Sequence, residues 1–150
     1  MYLIAHNIRS LHNVGAFFRT ADAFGVEKIY LTGYTGCPPR KEIAKTALGS
    51  EHRIPWEHRE NLDTLLLELK SVGKKIVALE ISDRSIPVGT LKIPVEQIAL
   101  IVGSEVEGIS PEILEQCDEV IEIPMIGTKK SLNVSVATGI ALFAIATKIR

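Results

Sequence analysis

Short apolar segments alternate with helical segments along the chain, and this alternation limits the fold more than any other feature. Five segments have the Val, Ile, Leu and Tyr content of buried strands: YLIAH, KIYLTG, KKIVALEIS, QIALIVG and DEVIEIPM. Parallel strands need a long crossover connection, which is usually a helix. The alternation therefore predicts an α/β fold, with a mostly parallel sheet and helices on both faces.

The predicted helices have recognisable start and stop residues. In NVGAFFRTADAFG, Asn13 is suited to cap the first turn and Gly25 to end the helix. In NLDTLLLELKSVG, Asn61 has the capping position and the apolar stripe continues to Val72. Ser110, which precedes a proline, predicts the start of a third helix with the sequence PEILEQC.

The composition fits one globular domain over residues 1–150, without a separate RNA-binding domain. The chain is 46% hydrophobic and 23% charged, and a chain of this size buries about 70% of its unfolded surface. No linker, repeat or low-complexity segment divides it. Its longest irregular region, 35–59, contains three prolines and a predicted helix at 41–47. A loop of this length favours a binding element, with a simple surface excursion as the alternative.

The sequence favours a cytoplasmic protein without membrane or metal partners. Its longest near-continuous apolar run, 140–146, is far shorter than the roughly 18 residues of a membrane span, and MYLIAHNIRS lacks the pattern of a signal peptide. The two cysteines, Cys37 and Cys117, have no CxxC or histidine pairing. We therefore expect both to be reduced and structural, with no zinc site or disulfide framework.

The residues that follow the predicted strands indicate a ligand site, because ligands of such sheets bind beyond the carboxyl ends of the strands. These segments are NIRSLHNVG, EISDRS, GSEVEGIS and PMIGTKKSLN. The P-loop, the dinucleotide fingerprint and the GxSxG elbow are all missing. In GSEVEG, the carboxylates of Glu105 and Glu107 would repel a pyrophosphate. An adenine nucleoside with a positive sulfonium suits such a site better.

Three segments together resemble the motifs of the SpoU/TrmH family, the RNA 2'-O-ribose methyltransferases of the SPOUT superfamily. They are NIRSLHNVGAFFRTADAFG, ALIVGSEVEGIS and IEIPMIGTKKSLNVSVATGIAL, in the family's order, and KTALGSE in the middle loop is also similar. The resemblance implies S-adenosylmethionine as cofactor, a deep carboxyl-terminal trefoil knot, and a homodimer with its active site at the subunit interface. Burial of the apolar last segment within one subunit or against a second would both explain its composition.

The resemblance also implies roles for individual residues. Arg19, Ser131 and Asn133 match catalytic positions of the motifs, and Asn13 matches a substrate-site asparagine. Cofactor contacts are implied, or expected from position, at Leu79, Gly103, Glu105, Gly108, Ile123, Met125 and Leu132. Phosphate contacts with RNA are expected from the local basic residues Arg9, Arg40, Lys41, Lys45, Lys129 and Lys130. An ordinary solvated surface is the alternative for these basic residues, since 17 Lys and Arg stand against 18 Asp and Glu.

Simpler structural roles compete with these assignments. Arg19 could pair with Asp22 three residues later, Asn13 could serve as a helix cap, Ser131 could cap the last helix, and Glu105 could be a surface carboxylate. The implied reaction is attack of a ribose 2'-oxygen on the methyl carbon of the sulfonium. A guanidinium with a pKa above about 12 is a poor base. We therefore expect Arg19 to hold a phosphate and to stabilise the developing oxyanion.

The substrate is less defined than the reaction. The chain resembles only the catalytic core of the family, and ALFAIATK stands where relatives tend to read ALYE. Because cores of this size occur in relatives acting on tRNA, we expect tRNA in preference to rRNA. One alternative is an inactive knotted RNA-binding or assembly factor, which the intact Arg19, Ser131 and Asn133 disfavour. The other is a SPOUT base methyltransferase, which the form SLNVSVA disfavours.

Overall fold

Strands and helices alternate along residues 1–147, the part of the chain that the structure, a computed structural model, describes. The strands are β1 (Tyr2–His6), β2 (Lys28–Thr32), β3 (Trp56–Arg59), β4 (Lys75–Leu79), β5 (Ile86–Pro87), β6 (Ile98–Val102) and β7 (Glu119–Glu122). The helices are α1 (Leu11–Ala23), α2 (Lys41–Ala47), α3 (Leu62–Ser71), α4 (Pro111–Glu115) and α5 (Val134–Thr147). Residues 148–150, the end of the predicted domain, lie outside the described part.

The strands form one parallel sheet in the order β3-β2-β1-β6-β4-β7-β5. Successive side chains of a strand point to opposite faces, so Leu3 and Ala5 of β1 belong to one apolar cluster and Ile4 belongs to another. The first cluster includes buried residues of α1, α2 and α5, and the second includes buried residues of α3. The predicted α/β fold with both faces covered is therefore confirmed.

Two strands, β3 and β5, were not predicted from the sequence. The strand β3 lies at the end of the segment predicted to be irregular, and its sequence WEHR has no apolar run because it forms one edge of the sheet. The strand β5 has only two residues and forms the other edge. Edge strands bury less side-chain surface than central strands, so the apolar pattern that marks β6, in which all five residues are buried, does not extend to them.

The ends of α1, α3 and α4 agree with the sequence except at two positions. The hydroxyl of Ser10, and not the side chain of Asn13, caps α1, where it accepts a hydrogen bond from the Asn13 backbone N–H at 3.2 Å. The caps at Asn61 and Ser110 are confirmed. Val72 lies just beyond α3 and is exposed, which corrects the predicted stripe. The glycines after α1 and α3 have φ of 72° and 86°, as helix-ending glycines do.

Close packing of α1 against α2 depends on Gly15. A Cβ atom at this position would lie 2.0 Å from Oγ1 of Thr46 and 2.3 Å from the backbone oxygen of Ile43. The Thr46 hydroxyl also donates to the backbone oxygen of His12 at 2.8 Å. Only glycine fits this contact, which fixes α1 and therefore the position of Arg19 on it.

Other general features of the described residues bear on function. No helix of residues 1–147 is long and apolar enough to cross a membrane. Cys37 and Cys117 are free thiols. Within the same residues, no group of three or more His, Cys, Asp or Glu side chains is arranged to hold a metal ion.

Candidate active site

A cavity of about 680 Å³ opens beyond the carboxyl ends of β4, β6 and β7. Its walls are the segments that follow these strands, together with the first turns of α5. The predicted cofactor-binding residues all line it: Leu79, Gly103, Glu105, Gly108, Ile123, Met125 and Leu132. Ser131 and Asn133 line it as well. The volume lies in the range usual for small-molecule and cofactor sites.

The loop from Gly103 to Gly108 folds back on itself at the edge of this cavity. The Gly108 N–H donates to the backbone oxygen of Ser104 at 2.9 Å, and Gly108 has a φ of 67°. A Cβ atom on Gly103 would lie 2.7 Å from the oxygen of Gly108. Gly103 therefore has a structural role besides the predicted cofactor contact, since it lets the two ends of its own loop meet.

Glu80 is a cavity residue that sequence reasoning missed. One of its carboxylate oxygens accepts from the Ile81 N–H at 2.9 Å, and the other accepts from the Ile109 N–H at 3.0 Å. A Cβ atom on Gly108 would lie 2.4 Å from the second oxygen. Glu80 thus ties the loop after β4 to the loop after β6. Glu80 belongs to EISDRS, one of the segments expected to form the ligand site, and this position is the sequence feature that could have identified it.

Glu105 connects the cavity to the loop after β1. Its carboxylate accepts from the backbone N–H groups of Arg9 at 3.0 Å and Ser10 at 3.1 Å, and from Nδ2 of Asn13 at 3.0 Å. Burial raises the pKa of this carboxyl, but these three hydrogen bonds, together with the interaction with its own backbone N–H, outweigh burial and hold the pKa below its usual value. Glu105 is therefore more than a surface carboxylate, and the Asn13 side chain is committed to this contact.

Asn133 caps α5 at the mouth of the cavity. Its side-chain oxygen accepts from the Ser135 N–H at 2.9 Å, the Ser135 hydroxyl at 2.6 Å and the Val136 N–H at 3.4 Å. The proposed cap at Ser131 is therefore wrong, and Ser131 lies exposed in the segment before the helix. The cap uses the oxygen of Asn133 and leaves its NH₂ group available as a donor to a ligand.

Arg19 lies on the exposed side of α1 and does not line the cavity of its own chain. The alternative pairing with Asp22 is not formed. The Asp22 carboxylate is bound instead by the Arg53 guanidinium, at 2.6 and 2.8 Å, and by the Ser50 hydroxyl at 2.9 Å. Within one chain, Ser131 and Asn133 therefore share a cavity, whereas Arg19 stands apart from it.

The basic residues expected to contact RNA are all exposed, and none of them lines the cavity. They are Arg9 after β1, Arg40, Lys41 and Lys45 before and on α2, and Lys129 and Lys130 before α5. In residues 1–147, the only ion pair they form is a 4.0 Å contact of Arg40 with Glu42. Their charges therefore face solvent on the loops around the carboxyl edge and on α2.

This fold and cavity agree with the family assignment by sequence comparison. The sequence profile of the SpoU rRNA Methylase family matches residues 1–143, nearly the whole chain. The protein therefore belongs to this family, as its three motifs predicted.

The chain is also similar to individual proteins of known or assigned activity. It is 38% identical over 146 residues to a tRNA (guanosine(18)-2'-O)-methyltransferase of Aquifex aeolicus, covering 95% of this chain and 67% of the relative. It is 38% identical over 143 residues to the 23S rRNA (guanosine-2'-O-)-methyltransferase RlmB of Blochmanniella floridana, covering 95% and 56%. A crystal structure of an AdoMet-bound rRNA methyltransferase from Sinorhizobium meliloti superposes with a TM-score of 0.91 at 29% identity, over 99% of this chain and 56% of that one. The chain thus spans 56% to 67% of the length of these relatives.

Proposed function

We propose that the protein transfers the methyl group of S-adenosylmethionine to a ribose 2'-hydroxyl of RNA. The observation that carries this proposal is the cavity beyond β4, β6 and β7. In this cavity, Ser131 and Asn133 lie with the glycine-containing loop after β6, which Glu80 ties to the loop after β4. The names of the relatives from Aquifex aeolicus and Blochmanniella floridana support a 2'-O-methyl transfer, and that of the structure from Sinorhizobium meliloti supports the cofactor.

The residues of the cavity fit this cofactor. In this proposal, backbone groups around Ile123, Met125 and Leu132, which line the cavity, bind the adenosine. Four carboxylates line the wall, at Glu80, Glu105, Glu107 and Glu122. They favour a positively charged sulfonium and disfavour a pyrophosphate. When bound, S-adenosylmethionine supplies an electrophilic methyl group.

The chain's own residues align the acceptor. In this proposal, Ser131 and the NH₂ group of Asn133 orient the ribose at the mouth of the cavity. Arg19 binds a phosphate and stabilises the charge that develops on the 2'-oxygen as its proton leaves, because a guanidinium is a strong donor and a poor base. Alignment of this kind can lower a barrier by about 7 to 11 kcal/mol.

A homodimer is part of the proposal because Arg19 stands apart from the cavity of its own chain. The exposed side of α5 carries an apolar row of Val136, Ile140 and Phe143, next to α1, where the rings of Phe143 and Phe24 meet edge to face at 5.8 Å. A second copy of the chain, packed on this row, would cover it with the same apolar surface of its own. It would bring Arg19 of one subunit towards the cavity of the other.

Three finer features belong to the same proposal. The carboxyl-terminal part forms a deep trefoil knot, which the family resemblance supports. The substrate is tRNA in preference to rRNA, although the names of the relatives include both. The protein works in the cytoplasm.

A methylation assay tests the proposal. The protein is incubated with S-adenosylmethionine labelled in the methyl group and with total RNA, which is then separated into tRNA and rRNA and digested to nucleosides. We expect label in 2'-O-methylnucleosides, mainly from the tRNA fraction. Label on a base would identify a base methyltransferase instead. Cofactor binding without any labelled RNA would identify an inactive RNA-binding factor.

A further inference from the structure

Tyr34 is an exposed aromatic side chain at the same edge of the sheet as the cavity. Its relative exposure is 58%, and it lies directly after the carboxyl end of β2. In the sheet, β1 alone separates β2 from β6, at whose end the cavity opens. With neighbouring strands about 4.8 Å apart, the ends of β2 and β6 are about 10 Å apart.

The turn that carries Tyr34 is held from several sides. The Tyr34 N–H donates to Oδ1 of Asn7 at 3.1 Å, and Nε2 of His58 lies 3.0 Å from the Gly33 oxygen. The buried Thr35 hydroxyl donates to the Ala5 oxygen at 3.0 Å and accepts from the N–H after Asn7, that of Ile8, at 3.0 Å. These bonds keep the backbone of the turn in place while its aromatic ring faces solvent.

The loop after β1 joins the turn of Tyr34 to the cavity. Asn7 holds the Tyr34 backbone, and two residues later the Arg9 N–H donates to Glu105. Arg9 is exposed and lies between the two sites along the edge. The exposed ring of Tyr34 lies at the same edge of the sheet as the cavity and as the Arg9 guanidinium, which forms no ion pair within residues 1–147. A planar ring and a guanidinium in this arrangement have the chemistry to bind an unpaired nucleobase and its phosphate.

We propose that the ring of Tyr34 stacks on an unpaired base of the RNA, close in the chain to the methylated nucleotide, while Arg9 binds the phosphate between them. This inference rests on the proposed function, because the cavity defines where the target ribose lies. Stacking accepts any base, so Tyr34 selects for single-stranded structure around the target more than for sequence.

Kinetics of two Tyr34 variants test this. Tyr34→Ala should raise the apparent KM for total RNA about tenfold, while Tyr34→Phe, which keeps the ring, stays within about twofold of wild type. The dissociation constant for S-adenosylmethionine should not change in either variant. Leu67→Ala is the matched control, since Leu67 on α3 is 68% exposed and lies away from this edge. Its KM should equal that of wild type.

A crosslink provides a readout that a structural role would not produce. With Tyr34 replaced by p-benzoylphenylalanine, irradiation in the presence of RNA should attach the protein to a nucleotide near the methylated one. An unchanged KM in Tyr34→Ala, with wild type active, would overturn the inference and leave the proposed function intact. A changed oligomeric state in Tyr34→Ala would also overturn it, since Tyr34 would then contact protein. Absence of RNA methylation by wild type would overturn both proposals.

Discussion

The two helices α1 and α5 pack against each other, yet they distribute their apolar side chains in opposite ways. In α1, the large apolar residues Val14, Phe17 and Phe18 are buried and Leu11 is partly buried, whereas the exposed positions are His12, Arg19 and Ala23. In α5, a buried set that includes Leu142 and Ile145 is matched by an exposed apolar row of Val136, Ile140 and Phe143.

The two helices therefore use their exposed surfaces differently. The burial pattern of α1 is explained within one chain, so the exposed Arg19 guanidinium is available for the role proposed above. The exposed row of α5, spaced by four and three residues, forms one stripe of a helix. Its side chains remain 39% to 54% exposed within residues 1–147, although the Phe24 ring contacts Phe143. The core of the chain does not need such a row, and this favours the assembly proposed above as its purpose.

The largest expected effect concerns the exposed side of α1. In Arg19→Lys, we expect kcat for RNA methylation to fall about 100- to 1000-fold, as when one donor to a developing oxyanion is lost, because an ammonium cannot reproduce the planar fork of a guanidinium. The melting temperature should not change, since Arg19 is exposed and forms no ion pair within the described residues. Steady-state kinetics and thermal unfolding measure the two quantities.

Arg53→Lys is the matched control for that variant. Arg53 is also exposed and lies close to α1, but its guanidinium binds Asp22. Its replacement should leave kcat near wild type and lower stability slightly. Near-normal activity in Arg19→Lys would rule out both the phosphate role and the oxyanion role of Arg19.

The next effect compares the two sides of α5. Leu142 is fully buried, so Leu142→Ala should lower the free energy of unfolding by about 3 kcal/mol. Ile140→Glu places a charge in the exposed row and should cost the isolated chain about 1 kcal/mol. It should raise the dimer dissociation constant at least tenfold, as measured by sedimentation. A monomeric wild type, or a dimer unaffected by Ile140→Glu, would contradict the assembly role of this row.

Local patterns made most of the fold predictable. The central strands and the caps at Asn61 and Ser110 depend on side chains close in sequence, and they were predicted correctly. At α1, both Ser10 and Asn13 are good capping residues, and the choice is set by Glu105, which binds the Asn13 side chain from 92 residues away. No local pattern encodes such a pairing.

The sequence predicted part of the lining of the cavity but not its geometry. The residues predicted to bind the cofactor do line the cavity, while the contacts of Glu80 and the loop closure at Gly103 depend on how the ends of β4 and β6 meet. The edge strands β3 and β5 could not be predicted because they bury too little apolar surface to leave a pattern.

The smallest effect concerns how each helix begins. The start of α5 is capped by the neutral Asn133, whereas the loop before α1 is bound by the charged Glu105. Because the folded-state pKa of Glu105 is lowered, its contribution is complete above the unfolded value near 4.5 and is lost as the pH falls through the folded value.

Because Glu105 is exposed and solvent screens its charge, Glu105→Gln should be less stable than wild type at pH 7 by only about 0.5 kcal/mol, and this difference should shrink as the pH falls below 4.5. Urea unfolding at several pH values measures it. Glu107→Gln is the control, since the Glu107 carboxylate accepts no hydrogen bond within residues 1–147 and lies in the same loop. A difference between Glu105→Gln and wild type that stayed constant down to pH 3.5 would mean that shape, and not charge, anchors the start of α1.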